Sequence, residues 1–132
     1  MDFNLKTYRE FLTVFKEKGW ESKTFASFIS SLDEPCYILR HDVDARPENS
    51  LRFAQIQHEM GITGTYYFRI VPQSFNESII KEIAALGHEI GYHYETMDTC
   101  RGDVNKAYEE FCRNLEKFRK LVDFLELIKE QN

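Results

Sequence analysis

Ile38-Leu39-Arg40-His41-Asp42-Val43-Asp44 begins as a buried strand and ends in carboxylates. Pro35 and the apolar run 37–39 mark a short strand that enters the interior. Side chains alternate along a strand, so Arg40, Asp42 and Asp44 share one face while Leu39, His41 and Val43 share the other. A cation and two carboxylates at a buried strand end are costly without partners. Chains tolerate that cost at sites, and in parallel α/β sheets sites sit where strands end. Taken alone, the Asp-x-Asp fits a site and a plain strand with a solvated acidic end, such as a helix N-cap, equally well. The second stretch, Gly87-His88-Glu89-Ile90-Gly91-Tyr92-His93-Tyr94-Glu95, also reads as a strand and places His93 and Glu95 on one face. Two strand ends carrying Asp, Asp, His and Glu fit a hard or borderline divalent metal.

The 132 residues are enough for one domain with a real core, here residues 1–132. A net charge of −5 argues against broad binding to nucleic acid or to anionic membranes. No basic segment followed by an apolar run opens the sequence, and no apolar run reaches membrane-spanning length. Cys36, Cys100 and Cys112 are odd in number and lack paired spacing, which fits a reducing compartment and no zinc knuckle. The expected setting is the cytoplasm.

Around the two stretches the chain alternates helices with strands. Leu5, Tyr8, Phe11, Leu12 and Phe15 follow helical spacing over residues 5–18, and Gly19 stops that helix. Phe25, Phe28, Ile29 and Leu32 repeat the pattern more briefly. Residues 1–34 are expected to form a helical cover over one end or face of the sheet. After Asp44, Pro47 and Glu48 suit the first turn of a helix closed by Gly61, with His58 on its surface. Residues 64–71 read as a central strand, apolar on both faces, with Arg69 either meeting an acidic partner at the strand end or reaching solvent. Asn76 caps a helix over 77–86 that Gly87 closes, and the third strand spans 89–94. Residues 96–102 read as a polar loop. Asp103 caps a long last helix whose stripe is Val104, Tyr108, Phe111, Leu115, Phe118, Val122 and Leu125, broadened by Ala107, Cys112, Leu121 and Ile128 toward packing on the chain's own sheet. Strands and helices of these lengths imply βαβ units and a parallel sheet of about three strands.

Arg40-His41-Asp42-Val43-Asp44, Gly64-Thr65-Tyr66-Tyr67-Phe68 and Gly87-His88-Glu89-Ile90-Gly91-Tyr92-His93 resemble, in order and spacing, the polysaccharide deacetylase family (the NodB homology domain, carbohydrate esterase family 4). The resemblance covers residues 37–94 and is closer to the branch whose first motif reads His-Asp-Val-Asp. It implies a distorted (β/α) barrel, a divalent metal (usually zinc), and hydrolysis of N-acetyl groups on a sugar. Carried over by position, Asp42 is the general base, Asp44 and His93 are metal ligands, and His88 is not a ligand. In such a site the metal lowers the pKa of bound water toward about 7 and polarises the amide carbonyl. Arg40, on the same face, is placed to hold Asp42 ionised and oriented.

Two departures follow. The family's second motif is His-(Ser/Thr)-x-x-His, and Met97 stands where its second His belongs. Met suits such an ion poorly, so Glu95 becomes the local candidate for the third ligand, with Asp98 behind it. The sequence is also short for a barrel, which takes roughly 200 residues or more. The expected architecture is therefore α/β, a partial or truncated distorted (β/α) barrel. Its exposed sheet edges or last helix would be buried between copies in a homo-oligomer. The leading functional expectation is a metal-dependent carbohydrate N-deacetylase. The alternative is a binding or scaffold protein that keeps the fold without turnover.

Overall fold

The strand expected to run unbroken into Asp44 is two strands. The computed structural model describes residues 4–32 and 34–131, apart from the side chains of 126–131, so Ile128 lies outside it. In it β2 (Cys36–Tyr37) pairs in parallel with β1 (Glu21–Ser22), and after Leu39 the chain resumes pairing as β3 (Arg40–Val43). β3 runs parallel to β4 (Thr65–Phe68), and β4 parallel to β5 (Glu89–Tyr92), in the order β3-β4-β5. The α/β class and the three-stranded parallel sheet are as expected, and β4 is the central strand. No barrel closes among the described residues. β4 and β5 are shorter than the expected 64–71 and 89–94.

Helices connect the strands with the signals that the residues carry. Pro47 opens α3 (Pro47–Glu59), and Gly61, at φ 70°, turns the chain out of it. The side chain of Asn76 accepts a bond from the Ile79 amide at 3.1 Å to open α4 (Glu77–Ala85). Asp103 does the same for Lys106 at the head of α6 (Val104–Gln131). With Val43, Tyr66 and Phe68 from the sheet, these helices bury Ala54, Ile80, Ile83, Phe118, Leu121 and Leu125 in one core. Fully burying side chains of that size stabilises by about 1.5–3 kcal/mol each. A second cluster joins α1 (Leu5–Glu17) to α3 through Tyr8, Leu12, Ile56 and Ile62.

Three expectations about these helices need correction. The stripe on α6 is buried at Phe118 and Leu125 but exposed at Val104 and Tyr108. A straight helix drifts about 20° per heptad against a seven-residue repeat, so one stripe cannot stay on the sheet for that length. The loop at 96–102 contains a helical turn, α5 (Thr96–Thr99), with Thr96 buried. Finally, α2 (Phe25–Ser30) buries none of its residues, and Ile29 stands exposed. It still acts as a cover: the Ala26 amide donates to Glu89 at 3.1 Å, and Phe25 meets the Tyr67 ring edge-on.

Alternation gives the sheet two unlike faces. His41, Val43, Tyr66, Phe68, Ile90 and Tyr92 point to the helices. Arg40 and Asp42, Thr65 and Tyr67, and Glu89 and Gly91 point the other way, in rows set by the register Arg40↔Thr65↔Glu89 and Asp42↔Tyr67↔Gly91.

Candidate metal centre at the strand ends

One residue beyond the last ladder pairs, Val43↔Phe68 and Phe68↔Tyr92, the next row is Asp44, Arg69 and His93. The His93 amide donates to the Phe68 carbonyl at 2.9 Å, which carries β5's pairing into that row. Glu95 follows two residues later on the same face. Past Asp44 the chain turns sharply through Arg46, which is held at φ 51°. A left-handed arginine costs on the order of 1–2 kcal/mol, and such strain gathers at sites.

The side chains of this row converge. His93 Nδ1 lies 3.3 Å from Asp44 Oδ1. The two residues lie at the ends of β3 and β5 with β4 between them, and their side chains meet across it. Ligand atoms of Asp44, His93 and Glu95 all lie within 4.8 Å of one another. Arg69 joins the row through an ion pair from its Nη2 to Glu95 Oε2 at 2.7 Å, the acidic partner that the sequence left open.

His93 Nδ1 is buried and makes no hydrogen bond, because its approach to Asp44 lacks hydrogen-bonding geometry. A buried polar atom without a partner costs about 1–3 kcal/mol, so such an atom calls for a ligand. The donor set of one imidazole nitrogen and two carboxylates suits zinc or a harder divalent ion. Donors at 2.0–2.2 Å from one ion stand at most about 4.4 Å apart, so small side-chain rotations would bring these three onto it. A hollow of about 20 Å³ lies on the other side of His93 and Glu95, toward Thr99, Glu110 and Asn114, and Asp44 does not border it.

The site is more solvated than its strand setting implied. Side-chain exposure is 63% for Asp44 and 41% for Asp42, so neither carboxylate is buried at the strand end. Among the described residues no further strand covers this end of the face, and water meets the desolvation cost that burial would have raised. Asp42 stands outside the ligand cluster, its Oδ1 held by Arg40 Nε at 2.9 Å. The Arg40 guanidinium lies 4.4 Å above the Tyr67 ring. A Cβ at Gly91 would come within 2.5 Å of that ring, so glycine at 91 is what lets Tyr67 lie flat on β5. Met97 is half exposed, and Asp98 is not in the cluster.

Tyr67 and Gly91 escaped the sequence reading as parts of the site, although Gly91 stands inside the most specific string. So did Gln57, which belongs to the other face. It is fully buried and its Nε2 bonds Tyr8 Oη at 2.6 Å and His41 Nε2 at 2.7 Å, while its Oε1 accepts from Tyr66 Oη at 2.7 Å. Burial, reinforced by nearby His88, lowers the His41 pKa to about 4, with Asp42 pulling weakly the other way. His88 is also buried. Its Nδ1 accepts from the Gly64 amide at 2.9 Å and its Nε2 meets the Ala54 carbonyl at 2.8 Å. Burial lowers its pKa despite that carbonyl. His58 is a surface residue, as expected, with Nδ1 3.0 Å from the Leu86 carbonyl.

Compared with protein-family models, with curated proteins and with solved structures, the chain matches none. No helix of the described residues is long and apolar enough to cross a membrane.

Proposed function

We propose that the chain is a metal-dependent hydrolase of the polysaccharide-deacetylase kind, removing N-acetyl groups from a sugar. Asp44, His93 and Glu95 hold a divalent metal, zinc by the resemblance, on a partial, distorted (β/α) barrel. The observation that carries this reading is the buried, unpartnered Nδ1 of His93 facing two carboxylates across one row of parallel strand ends.

When bound, the metal supplies an acidified water and a Lewis acid for the amide carbonyl. The chain's own residues do the rest. Arg69 occupies Glu95 Oε2 and leaves the other carboxylate oxygen for ligation. Arg40 occupies Asp42 Oδ1, which orients the carboxylate and leaves Oδ2 to take a proton. Tyr67, flat against Gly91, supports the Arg40 guanidinium from beneath.

The test is acetate release from N-acetylglucosamine oligomers by the zinc-loaded protein, with Asp42→Asn beside it. Asp42→Asn is expected to lower the rate by about 10²-fold or more while zinc stays bound. A loaded wild type that releases no acetate favours the second reading, a metal-binding scaffold without turnover. The observation behind that reading is that Asp42 lies outside the ligand cluster, half exposed and engaged by Arg40.

A further inference from the structure

At the site end of β3 and β4 a hydroxyl stands between two groups of the ladder. In their ladder the Thr65 amide donates to the Leu39 carbonyl at 2.8 Å. Parallel ladders repeat every two residues on a strand, so Arg69 N–H is due to meet the Val43 carbonyl. It does not. The Arg69 amide donates to Ser74 Oγ at 3.1 Å, and Ser74 Oγ in turn donates to the Val43 carbonyl. Ser74 is fully buried, in the turn between β4 and α4, where its own amide bonds the Val71 carbonyl at 3.1 Å. One side-chain oxygen thus replaces a direct ladder bond and relays it. Two hydrogen bonds in series can span more than one does. Asp44 follows Val43, and Arg69 holds Glu95.

We propose that Ser74 is a positioning residue that sets the spacing of this site: its hydroxyl wedges the Asp44 end of β3 from the Arg69 end of β4, and through Arg69 places Glu95. This rests on the metal reading above and deepens it. Ser74 touches none of the ligands, and its sequence context, Gln73-Ser74-Phe75, carries no motif. Without the hydroxyl, Arg69 N–H and the Val43 carbonyl can close into the ordinary ladder bond. The fold survives, but Asp44 and Glu95 are drawn out of register.

The experiment compares wild type, Ser74→Ala and Ile83→Val, the last a core change remote from the strand ends. Zinc affinity is read by competition with a chromophoric chelator, and the strand ends by NMR coupling across hydrogen bonds. Ser74→Ala is expected to bind zinc at least about tenfold more weakly, the range for removing an orienting group behind a ligand. Ile83→Val is expected to bind as wild type does. A direct coupling between Arg69 N and Val43 C′ should be absent in wild type and appear in Ser74→Ala. Unchanged zinc affinity in Ser74→Ala overturns the inference, as does a direct Arg69–Val43 coupling in wild type. A wild type that binds no zinc overturns the metal reading and with it the spacing role of Ser74, while the coupling still decides whether the hydroxyl is inserted.

Discussion

On the helix-covered face of the sheet, His88 has both ring nitrogens engaged and His41 gives Nε2 to Gln57. On the open face, His93 keeps a buried Nδ1 without a hydrogen bond beside two carboxylates. The three residues share a side-chain chemistry, His41 within β3 and His88 and His93 at the two ends of β5. What separates them is whether the fold supplies their partners. Where helices cover the sheet, water is excluded and every polar atom must be satisfied from within. At the strand ends the chain leaves a nitrogen for something else. An imidazole enclosed by its own fold is therefore structural, and one with an orphaned nitrogen at strand ends is a candidate ligand.

Acid probes the covered face most strongly. His41 has a folded pKa of about 4 against an ordinary value of 6.5. Below pH 6.5 the unfolded chain takes up a proton that the folded chain refuses, so stability falls as pH drops from 6.5 to 4 and this contribution levels off below. The loss from His41 is about 3 kcal/mol, and His88 acts in the same direction. Urea unfolding at pH 7 and pH 4 measures it, and His41→Gln should flatten the dependence. An equally steep dependence in that variant would remove His41 from the account.

Replacing each histidine with leucine sharpens the contrast. His88→Leu strands the Gly64 amide in the interior and should cost about 2 kcal/mol. His93→Leu removes an atom that has no hydrogen bond to lose. In metal-free protein it should leave stability unchanged or raise it by up to about 2 kcal/mol, since the burial cost of that nitrogen goes with it. Equal costs at the two positions would break the comparison. Gly91→Ala, whose methyl meets the Tyr67 ring, is expected to cost less than His88→Leu. It should lower stability by about 1 kcal/mol, and the displaced ring should shift in the aromatic NMR spectrum while zinc binding persists.

The sequence made the covered face legible, because alternation and helical spacing report burial directly. The three-stranded parallel sheet, the caps at Asn76 and Asp103 and the glycine stops follow from such local rules, whereas singling out Asp44 and His93 as ligands rested on the resemblance, and alternation alone also grouped Asp42, which lies outside the cluster. β1 did not, since Glu21-Ser22 is two polar residues with no strand pattern. The exposure of Asp42 and Asp44 was missed because alternation says which way a side chain points, not what covers it. Ser74 and Gln57 were invisible for a related reason. Each acts through hydrogen bonds to residues distant in sequence, from Ser74 to Val43 across 31 positions and from Gln57 to Tyr8 across 49.

The most direct test is a zinc titration of the purified chain beside Asp44→Ala and His93→Ala, with thermal melts of all three in chelator. The account predicts one zinc per chain in wild type and binding at least about 100-fold weaker in each variant, with all three melting alike once stripped of metal. Zinc absent from wild type, or retained at full affinity in His93→Ala, would contradict it.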